Sequence, residues 1–328
     1  MIFPLYRRPG AIVFLDDDPV YLDTLSLVMP EHWFVRLMLR PSVCIDMLLE
    51  EANFAELDLW RQQEIVNRWR DGMALIPQIL KYWRDDAFAR FSLAQVFVVD
   101  YSMPAMSGLQ VLDVLKLWPG SRILLTGRAD EQLAVSAFNR GLIDQFIPKQ
   151  SPDLRQRVTD AIQSLLHTPS ARHDQTWRAT LSREQNLLLS DEAIAAALEN
   201  LAAKQGWVEH VAIGAPFGIL ALDGDARATW LQLEPADRLA ELAEIAESQG
   251  WDEFTVAQVR SGQKLIDLEL QLMLGADQKA RPREAFTVGS GASLLYAALF
   301  DISEMFYPKL ADSYEQFLVR KGNRELQD

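Results

Sequence analysis

The first half of the chain alternates short apolar runs with amphipathic stretches. Short apolar runs are typical of strands buried on both faces, and the amphipathic stretches between them are typical of helices. This alternation predicts an α/β domain with a doubly wound, five-stranded parallel sheet. The predicted strands are residues 11–15, 33–39, 96–100, 122–127 and 145–149, and the predicted helices are residues 19–29, 108–117, 131–140 and 154–166.

A stretch of helical character at residues 45–92 interrupts this alternation, so that Asp100 follows Asp17 by 83 positions. Six apolar residues recur there at helical spacing and form one face, which Gly72 and Pro77 divide into a helical hairpin. This face either packs in a core or forms a docking or dimerisation surface with tryptophan anchors. The six residues are Ile65, Trp69, Met73, Ile76, Leu80 and Trp83.

The polar residues 169–180 predict a linker between a first domain, 1–168, and a second domain of α+β class, 181–328. The clearest signal in the second domain is a hairpin at 218–233, where two apolar segments flank Asp-Gly-Asp. A small basic cluster at 319–324 is expected to be a solvated terminus. The other predicted elements are helices at 191–205, 235–248, 252–259 and 264–274, followed within 285–300 by a strand, a Gly-Ser-Gly turn and a buried helix.

Chemically active side chains follow four of the predicted strands. In a doubly wound sheet, ligands bind at the carboxyl ends of the strands, where Asp16, Asp17, Asp100, Thr126 and Lys149 are expected to meet. Crowded carboxylates favour a hard divalent cation such as Mg²⁺, beside which Asp100 can act as a nucleophile toward a phosphoryl group. Singly, several of these residues have a plainer interpretation: a helix N-cap for the aspartates at 16–18, a strand-end hydroxyl for Thr126 and a solvated surface charge for Lys149.

Four motifs in this order resemble the receiver domain of two-component response regulators, which has a flavodoxin-type, CheY-like fold. They are LDDDP at 15–19, VVDYSMPAMSGLQVL at 98–112, LLTG at 124–127 and FIPK at 146–149. The resemblance implies that Asp100 is the phosphorylation site. It also implies that Asp16, Asp17, Asp100 and the backbone carbonyl of Ser102 hold Mg²⁺.

By the same resemblance, Thr126 contacts the phosphoryl group, Lys149 pairs with it, and Phe146 is the switch aromatic. The chain departs from the family in its long insert and in two residues near the site. Gln150 stands where a proline usually follows the lysine, so the loop that carries Lys149 is open to a different placement. Phe146 lacks the hydroxyl of a tyrosine switch.

The resemblance also implies partners. A sensor histidine kinase or phosphotransfer protein would phosphorylate Asp100, and the protein would be a signalling phosphoacceptor rather than an enzyme. The phosphorylated form is expected to homodimerise, and the second domain to bind a protein. The helical insert with an unfamiliar second domain further resembles receiver proteins of quorum-sensing circuits.

Composition and charge narrow the classes of protein to which the chain can belong. Of 328 residues, 49% are hydrophobic and 24% charged, which is typical of a globular chain. No run reaches the roughly 20 apolar residues of a membrane span, and the single Cys44 fits a reducing compartment, so a cytoplasmic protein is expected. Residues 171–328 contain 15 basic and 25 acidic residues, a net charge of −10 that argues against nucleic acid as a partner.

The second domain has one candidate for chemistry, the turn Gly289, Ser290 and Gly291. Small residues before a helix can bring backbone amides to an anion, although a tight turn explains the same residues. No helix-turn-helix or kinase signature is recognisable. Two alternatives to a protein-binding output stay open, a phosphorylation-gated enzyme or nucleotide-binding domain, and a DNA-binding transcriptional regulator.

Overall fold

The computed structural model describes residues 2–85, 87–104, 106–127, 131–275, 280–307 and 313–327. The chain forms two compact units, each assembled from three separate segments. The parallel-sheet unit comprises Pro9–Asp58, Phe88–Thr168 and Glu315–Asp328, and the antiparallel-sheet unit comprises Met1–Arg8, Leu59–Ala87 and Pro169–Tyr314. Strands and helices are numbered along the whole chain.

The parallel-sheet unit contains six parallel strands in the order β14-β3-β2-β4-β5-β6. The strands are β2 (Ala11–Leu15), β3 (Phe34–Met38), β4 (Ala94–Asp100), β5 (Ser121–Thr126), β6 (Gln145–Pro148) and β14 (Arg324–Gln327). The helices are α1 (Pro19–Ser26), α2 (Pro41–Arg70, of which residues after Asp58 belong to the other unit), α4 (Ala87–Ser92), α5 (Gly108–Val114), α6 (Glu131–Asn139), α7 (Leu154–Leu166) and α14 (Tyr314–Lys321).

Strand β2 shows why the apolar runs are continuous. Val13 and Leu15 point into the core on one face of the sheet, whereas Ile12 and Phe14 point into the core on the other face. Because successive side chains of a strand alternate between faces, a strand covered on both sides must be apolar throughout. The doubly wound parallel sheet predicted from sequence is therefore confirmed, with one correction: it has six strands, not five.

The stretch 319–324, expected to be a solvated terminus, instead contains the end of helix α14 and the first residue of the sixth strand, β14. Arg324 pairs with Val35 and Gln327 with Met38, in parallel register. The segment Arg-Glu-Leu-Gln has only one apolar residue, which is typical of an edge strand, where little side-chain burial is needed. Its backbone hydrogen bonds to β3, rather than an apolar run, make it a strand.

The antiparallel-sheet unit contains a six-stranded antiparallel sheet in the order β1-β7-β8-β9-β13-β12 and a two-stranded sheet, β10-β11. The strands are β1 (Tyr6–Arg7), β7 (Trp207–Gly214), β8 (Phe217–Asp223), β9 (Ala228–Pro235), β10 (Lys264–Ile266), β11 (Pro282–Glu284), β12 (Phe286–Val288) and β13 (Leu295–Asp301). The helices are α3 (Leu75–Arg84), α8 (Ala171–Arg178), α9 (Arg183–Leu189), α10 (Glu192–Gln205), α11 (Arg238–Ser248), α12 (Glu253–Arg260) and α13 (Leu268–Leu274).

The α+β character of this unit and the hairpin around Asp-Gly-Asp, formed by β8 and β9, are confirmed. The expected buried helix near residue 300 is instead strand β13, which pairs with β9 on one side and β12 on the other. The predicted helix at 264–274 likewise begins with strand β10. A short apolar run has no period that separates a buried strand from a buried helix, so the sequence could not decide either case.

The helical stripe at 65–83 packs in the core of the antiparallel-sheet unit. Ile65, Ile76 and Leu80 are buried there, Trp83 is fully buried, and Trp69 is partly buried. Met73 alone of the six is mostly exposed, at 52%. Core packing therefore explains the stripe, and Trp83 is not available as a docking anchor.

The predicted linker at 169–180 is mostly helix α8, and its Trp177 is fully buried. Gln62, also buried, joins this helix to two others. Its Nε2 donates to the Tyr82 hydroxyl at 3.0 Å, and its Oε1 accepts from Trp177 Nε1 at 2.8 Å. Because a buried amide must be satisfied, these bonds fix the packing of α2, α3 and α8 within the unit.

Candidate functional site

The carboxyl ends of four neighbouring strands lie side by side in the parallel sheet. Strand β2 pairs with β4, β4 with β5, and β5 with β6. Asp16 follows β2, Asp100 ends β4, Thr126 ends β5 and Lys149 follows β6. The topology thus brings the predicted residues to one edge of the sheet.

The acidic residues form a compact cluster. One carboxylate oxygen from each of Asp16, Asp17 and Asp100 lies within 4.8 Å of the others. Asp16 and Asp100 are buried, at 3% and 5% exposure, whereas Asp17 is exposed. The backbone holds both buried carboxylates in place, because the amide of Asp18 donates to Asp16 Oδ1 and the amide of Ser102 donates to Asp100 Oδ2, each at 3.0 Å.

Lys149 bridges the two buried carboxylates. Its Nζ lies 2.7 Å from Asp16 Oδ2 and 2.8 Å from Asp100 Oδ1. Burial alone would lower the pKa of Lys149, but the hydrogen bonds and charges of Asp100 and Asp16 outweigh burial and raise it. Gln150 in place of the family's proline therefore does not keep the ammonium from the acids.

The donor set fits a divalent cation. Three carboxylates and one ammonium leave two uncompensated negative charges, and hard oxygen ligands are those that Mg²⁺ prefers. Beside the acids, the Thr126 hydroxyl is fully buried and has no hydrogen-bond partner among the described residues. Because a buried hydroxyl without a partner is costly, an oxygen-rich ligand that accepts a hydrogen bond from it would relieve the cost.

Gly108 allows helix α5 to start close to Asp100. A Cβ at this position would lie 2.3 Å from the Asp100 carbonyl oxygen, so only glycine fits. The Gly108 amide donates to the Tyr101 carbonyl at 3.0 Å, and Ser107 and Gln110 form a capping box. The loop after the proposed phosphoacceptor is thereby held against the strand.

Phe146 lies on β6 opposite Leu124 and is 36% exposed. The ring is therefore partly accessible to solvent and is not locked in the core. Its role as a switch stays a prediction.

Sequence reasoning missed Tyr21, on the first turn of α1. The Lys149 Nζ lies 4.4 Å from the centre of its ring. Burial raises the pKa of Tyr21 to about 12; the charges of Asp16 and Asp100 add to this effect and Lys149 opposes it. No motif marks this position, although its place on the first turn after Asp16 and Asp17 brings it to the same edge of the sheet.

The turn at Gly289, Ser290 and Gly291 is separate from this site, in the antiparallel-sheet unit. A three-residue 3₁₀ turn, Gly291–Ser293, follows it and leads into strand β13. The expected buried helix is therefore not formed there, whereas anion binding at this turn stays a prediction. The fold explains Gly289 directly, because its φ is +79° and a Cβ would lie 2.5 Å from the Ser293 carbonyl oxygen.

No protein-family model matches the chain, and no curated protein matches it. Its structure is similar to that of the Legionella pneumophila response regulator LqsR, with 25% sequence identity, a TM-score of 0.71 and a match that covers 97% of each chain. The chain has the architecture of a receiver-domain response regulator. Its CheY-like receiver is the parallel-sheet unit, which contains the acid cluster.

Two further structures match weakly. An adenylate cyclase from Rhodopirellula baltica has 19% identity and a TM-score of 0.31, over 56% of this chain and 99% of that one. A receiver domain protein from Clostridium thermocellum has 18% identity and a TM-score of 0.30, over 48% of this chain and 94% of that one. Among the described residues, no helix is long and apolar enough to cross a bilayer.

Proposed function

We propose that this response regulator accepts a phosphoryl group on Asp100 from a sensor histidine kinase or a phosphotransfer protein. The observation that carries the proposal is the contact of Lys149 with both Asp16 and Asp100, beside a third carboxylate from Asp17. Lys149 places a positive charge 2.8 Å from Asp100 Oδ1 and orients this carboxylate by a charge-assisted hydrogen bond. A charged, oriented carboxylate is the nucleophile that the reaction needs.

In the proposed reaction, a carboxylate oxygen of Asp100 attacks phosphorus. A P–O bond to Asp100 forms, the P–N bond to the donor histidine breaks, and the leaving nitrogen takes up a proton. Lys149 offsets negative charge on the transferring oxygens, and Thr126 offers one of them its buried hydroxyl, which has no partner in the part of the chain that the structure describes. Mg²⁺ held by Asp16, Asp17, Asp100 and the Ser102 carbonyl would supply further charge neutralisation there.

Phosphorylation changes the partners of Lys149 and Thr126. Once Asp100 carries a phosphoryl group, Lys149 shares its hydrogen bonds with the new oxygens, and Thr126 gains an acceptor. Both residues adjoin β6, because Thr126 pairs with Pro148 and Lys149 directly follows the strand. The Lys149 amide also donates to the Thr126 carbonyl at 2.8 Å. A shift there would reach Phe146 on the same strand.

The antiparallel-sheet unit would act as the output, through a protein partner or through homodimerisation. We extend the proposal to quorum-sensing signalling, on the resemblance to receiver proteins of such circuits. The Gly289 turn leads into a strand and not into a helix, which favours a binding output over an enzymatic or nucleotide-binding one, and the acidic second half of the chain argues against DNA.

Asp100→Asn tests the assignment. Incubated with Mg²⁺ and a small phosphodonor, the wild-type protein should gain the mass of one phosphoryl group by intact-protein mass spectrometry, and the variant should gain none. Chelation of Mg²⁺ should abolish the gain in the wild-type protein. Asp113→Asn is the matched control, because Asp113 is an exposed aspartate of the same unit. Labelling of Asp100→Asn at the wild-type level, or no labelling of the wild-type protein, would contradict the proposal.

A further inference from the structure

Among the described residues, two carboxylates and one aromatic ring lie around the Lys149 ammonium. The carboxylates of Asp16 and Asp100 accept hydrogen bonds at 2.7 and 2.8 Å, and the Tyr21 ring centre lies 4.4 Å from Nζ. An ammonium at this distance over a ring face is attracted by the negative face of the π system. The sequence motifs account for the two acids but not for the ring.

The fold holds the Tyr21 ring in place. Asp18 caps helix α1 and accepts hydrogen bonds from the backbone amides of Val20 and Tyr21, at 2.9 and 3.1 Å. The ring packs against the core on that face of the parallel sheet, and its hydroxyl oxygen is buried without a partner among the described residues. The Tyr21 side chain therefore lines the site in a packed position and is not a freely moving surface side chain.

Phosphorylation would affect the two ion pairs of Lys149 directly, but it would not affect the contact between Lys149 and the Tyr21 ring. Cation binding and phosphoryl transfer both draw on the oxygens of Asp16 and Asp100, which are the two hydrogen-bond partners of Lys149. The Tyr21 ring is neutral and takes no part in those bonds. The contact between the ring and the ammonium can therefore persist while the carboxylates change partners.

We propose that Tyr21 is a positioning residue that holds the Lys149 ammonium in place for phosphoryl transfer to Asp100. The inference rests on the proposed function and assigns this site a residue that the motifs do not include. Transfer is faster when the compensating charge is already oriented, because no reorganisation is then needed at the transition state. The ring face is the part that matters, and the hydroxyl is not.

Three substitutions separate the ring from its volume. Tyr21→Leu keeps an apolar side chain without a π face, whereas Tyr21→Phe and Tyr21→Trp keep the face. The initial rate of phosphoryl incorporation with Mg²⁺ and a small donor should fall about threefold to tenfold in Tyr21→Leu, in line with the strength of partly buried cation–π contacts. Tyr21→Phe and Tyr21→Trp should stay within about twofold of the wild-type rate.

A second measurement reads Lys149 itself in the unphosphorylated protein. Acylation of its amine by a small acylating reagent, followed by peptide mass spectrometry, should be several-fold faster in Tyr21→Leu and unchanged in the two aromatic variants. Val20→Ala is the control, since Val20 is the neighbouring residue on α1 and is 71% exposed. Thermal unfolding of each variant verifies that it is folded.

Wild-type rates of both reactions in Tyr21→Leu would overturn the inference. A fall in Tyr21→Phe equal to that in Tyr21→Leu would also overturn it, because the hydroxyl would then be the active group. If the wild-type protein takes up no phosphoryl group, the proposed function fails, and the acylation rates still decide whether the ring holds Lys149.

Discussion

Asp100 and Glu234 are both buried acids, but their surroundings differ. Asp100 has the ammonium of Lys149 at 2.8 Å. Glu234, on β9, is 7% exposed and accepts a hydrogen bond from the neutral side chain of Gln232 at 2.8 Å. Burial raises the pKa of Glu234 to about 7. Its charge is therefore disfavoured in the folded state, and the free energy of unfolding should depend on pH.

Glu234→Gln tests this dependence. A raised folded pKa means that the contribution of Glu234 to stability is fully present below its unfolded pKa of about 4.3 and is lost as the pH rises through about 7. The variant cannot ionise, so above pH 7 it should be more stable than the wild-type protein by up to about 3 kcal/mol.

The measurement is denaturant unfolding of both proteins from pH 4.5 to pH 8. The difference between the two proteins removes the contribution of every other titrating group. A constant difference across that range would show that Glu234 ionises normally in the folded protein.

The site residues at strand ends could be predicted from the sequence, but Tyr21 could not. Asp16, Asp100 and Lys149 adjoin apolar runs, and parallel strands bring their carboxyl ends together, so the sequence was enough to place them side by side. The contact between Tyr21 and Lys149 depends on the pitch and tilt of α1 over the sheet. No spacing in the sequence encodes that tilt.

At the scale of elements, the end of the chain completes the parallel sheet. Helix α14 precedes β14, and its Phe317 is fully buried. The ring of Phe317 contacts those of Phe34, Phe88 and Phe91, with centroids 4.9, 5.4 and 5.7 Å away. This aromatic cluster holds α14 in place and thereby positions the following strand, β14, beside β3.

Phe317→Ala should therefore destabilise the parallel-sheet unit by about 3 to 5 kcal/mol, because it removes a fully buried aromatic side chain. Val319→Ala on the same helix is the matched control, since Val319 is 83% exposed and its truncation should change stability by less than about 0.5 kcal/mol. Denaturant unfolding would measure both. Equal small effects would mean that α14 contributes little to the stability of the sheet.

Sequence reasoning identified the elements in which several neighbouring residues carry the same signal, either burial or helix propensity. Strand β2 is apolar throughout, β4 and β5 each contain a buried apolar run, and α10 is rich in strong helix formers. Strand β14 exists because β3 offers it an edge, and β13 is a strand because β9 and β12 lie on either side. Both depend on partners that are distant in sequence, which a local pattern does not report.

At the scale of the whole molecule, the proposed function predicts a change of assembly. With Mg²⁺ and beryllium fluoride, which mimics a phosphoryl group on an aspartate, the wild-type protein should double its mass in solution. Asp100→Asn should not respond, and Asp113→Asn should respond as the wild-type protein does. Light scattering coupled to size exclusion gives the masses directly. An unchanged mass of the wild-type protein would count against homodimerisation.

The two units share one chain in an interleaved order. The chain passes from one unit to the other after residues 8, 58, 87, 168 and 314. A gene cut at the polar stretch near residue 169 would therefore give two fragments that each lack part of their own core. The first would lose α14 and β14, and the second would lose β1 and α3. Expressed alone, each half should be insoluble or degraded; expressed together, they should rescue one another as a complementing pair.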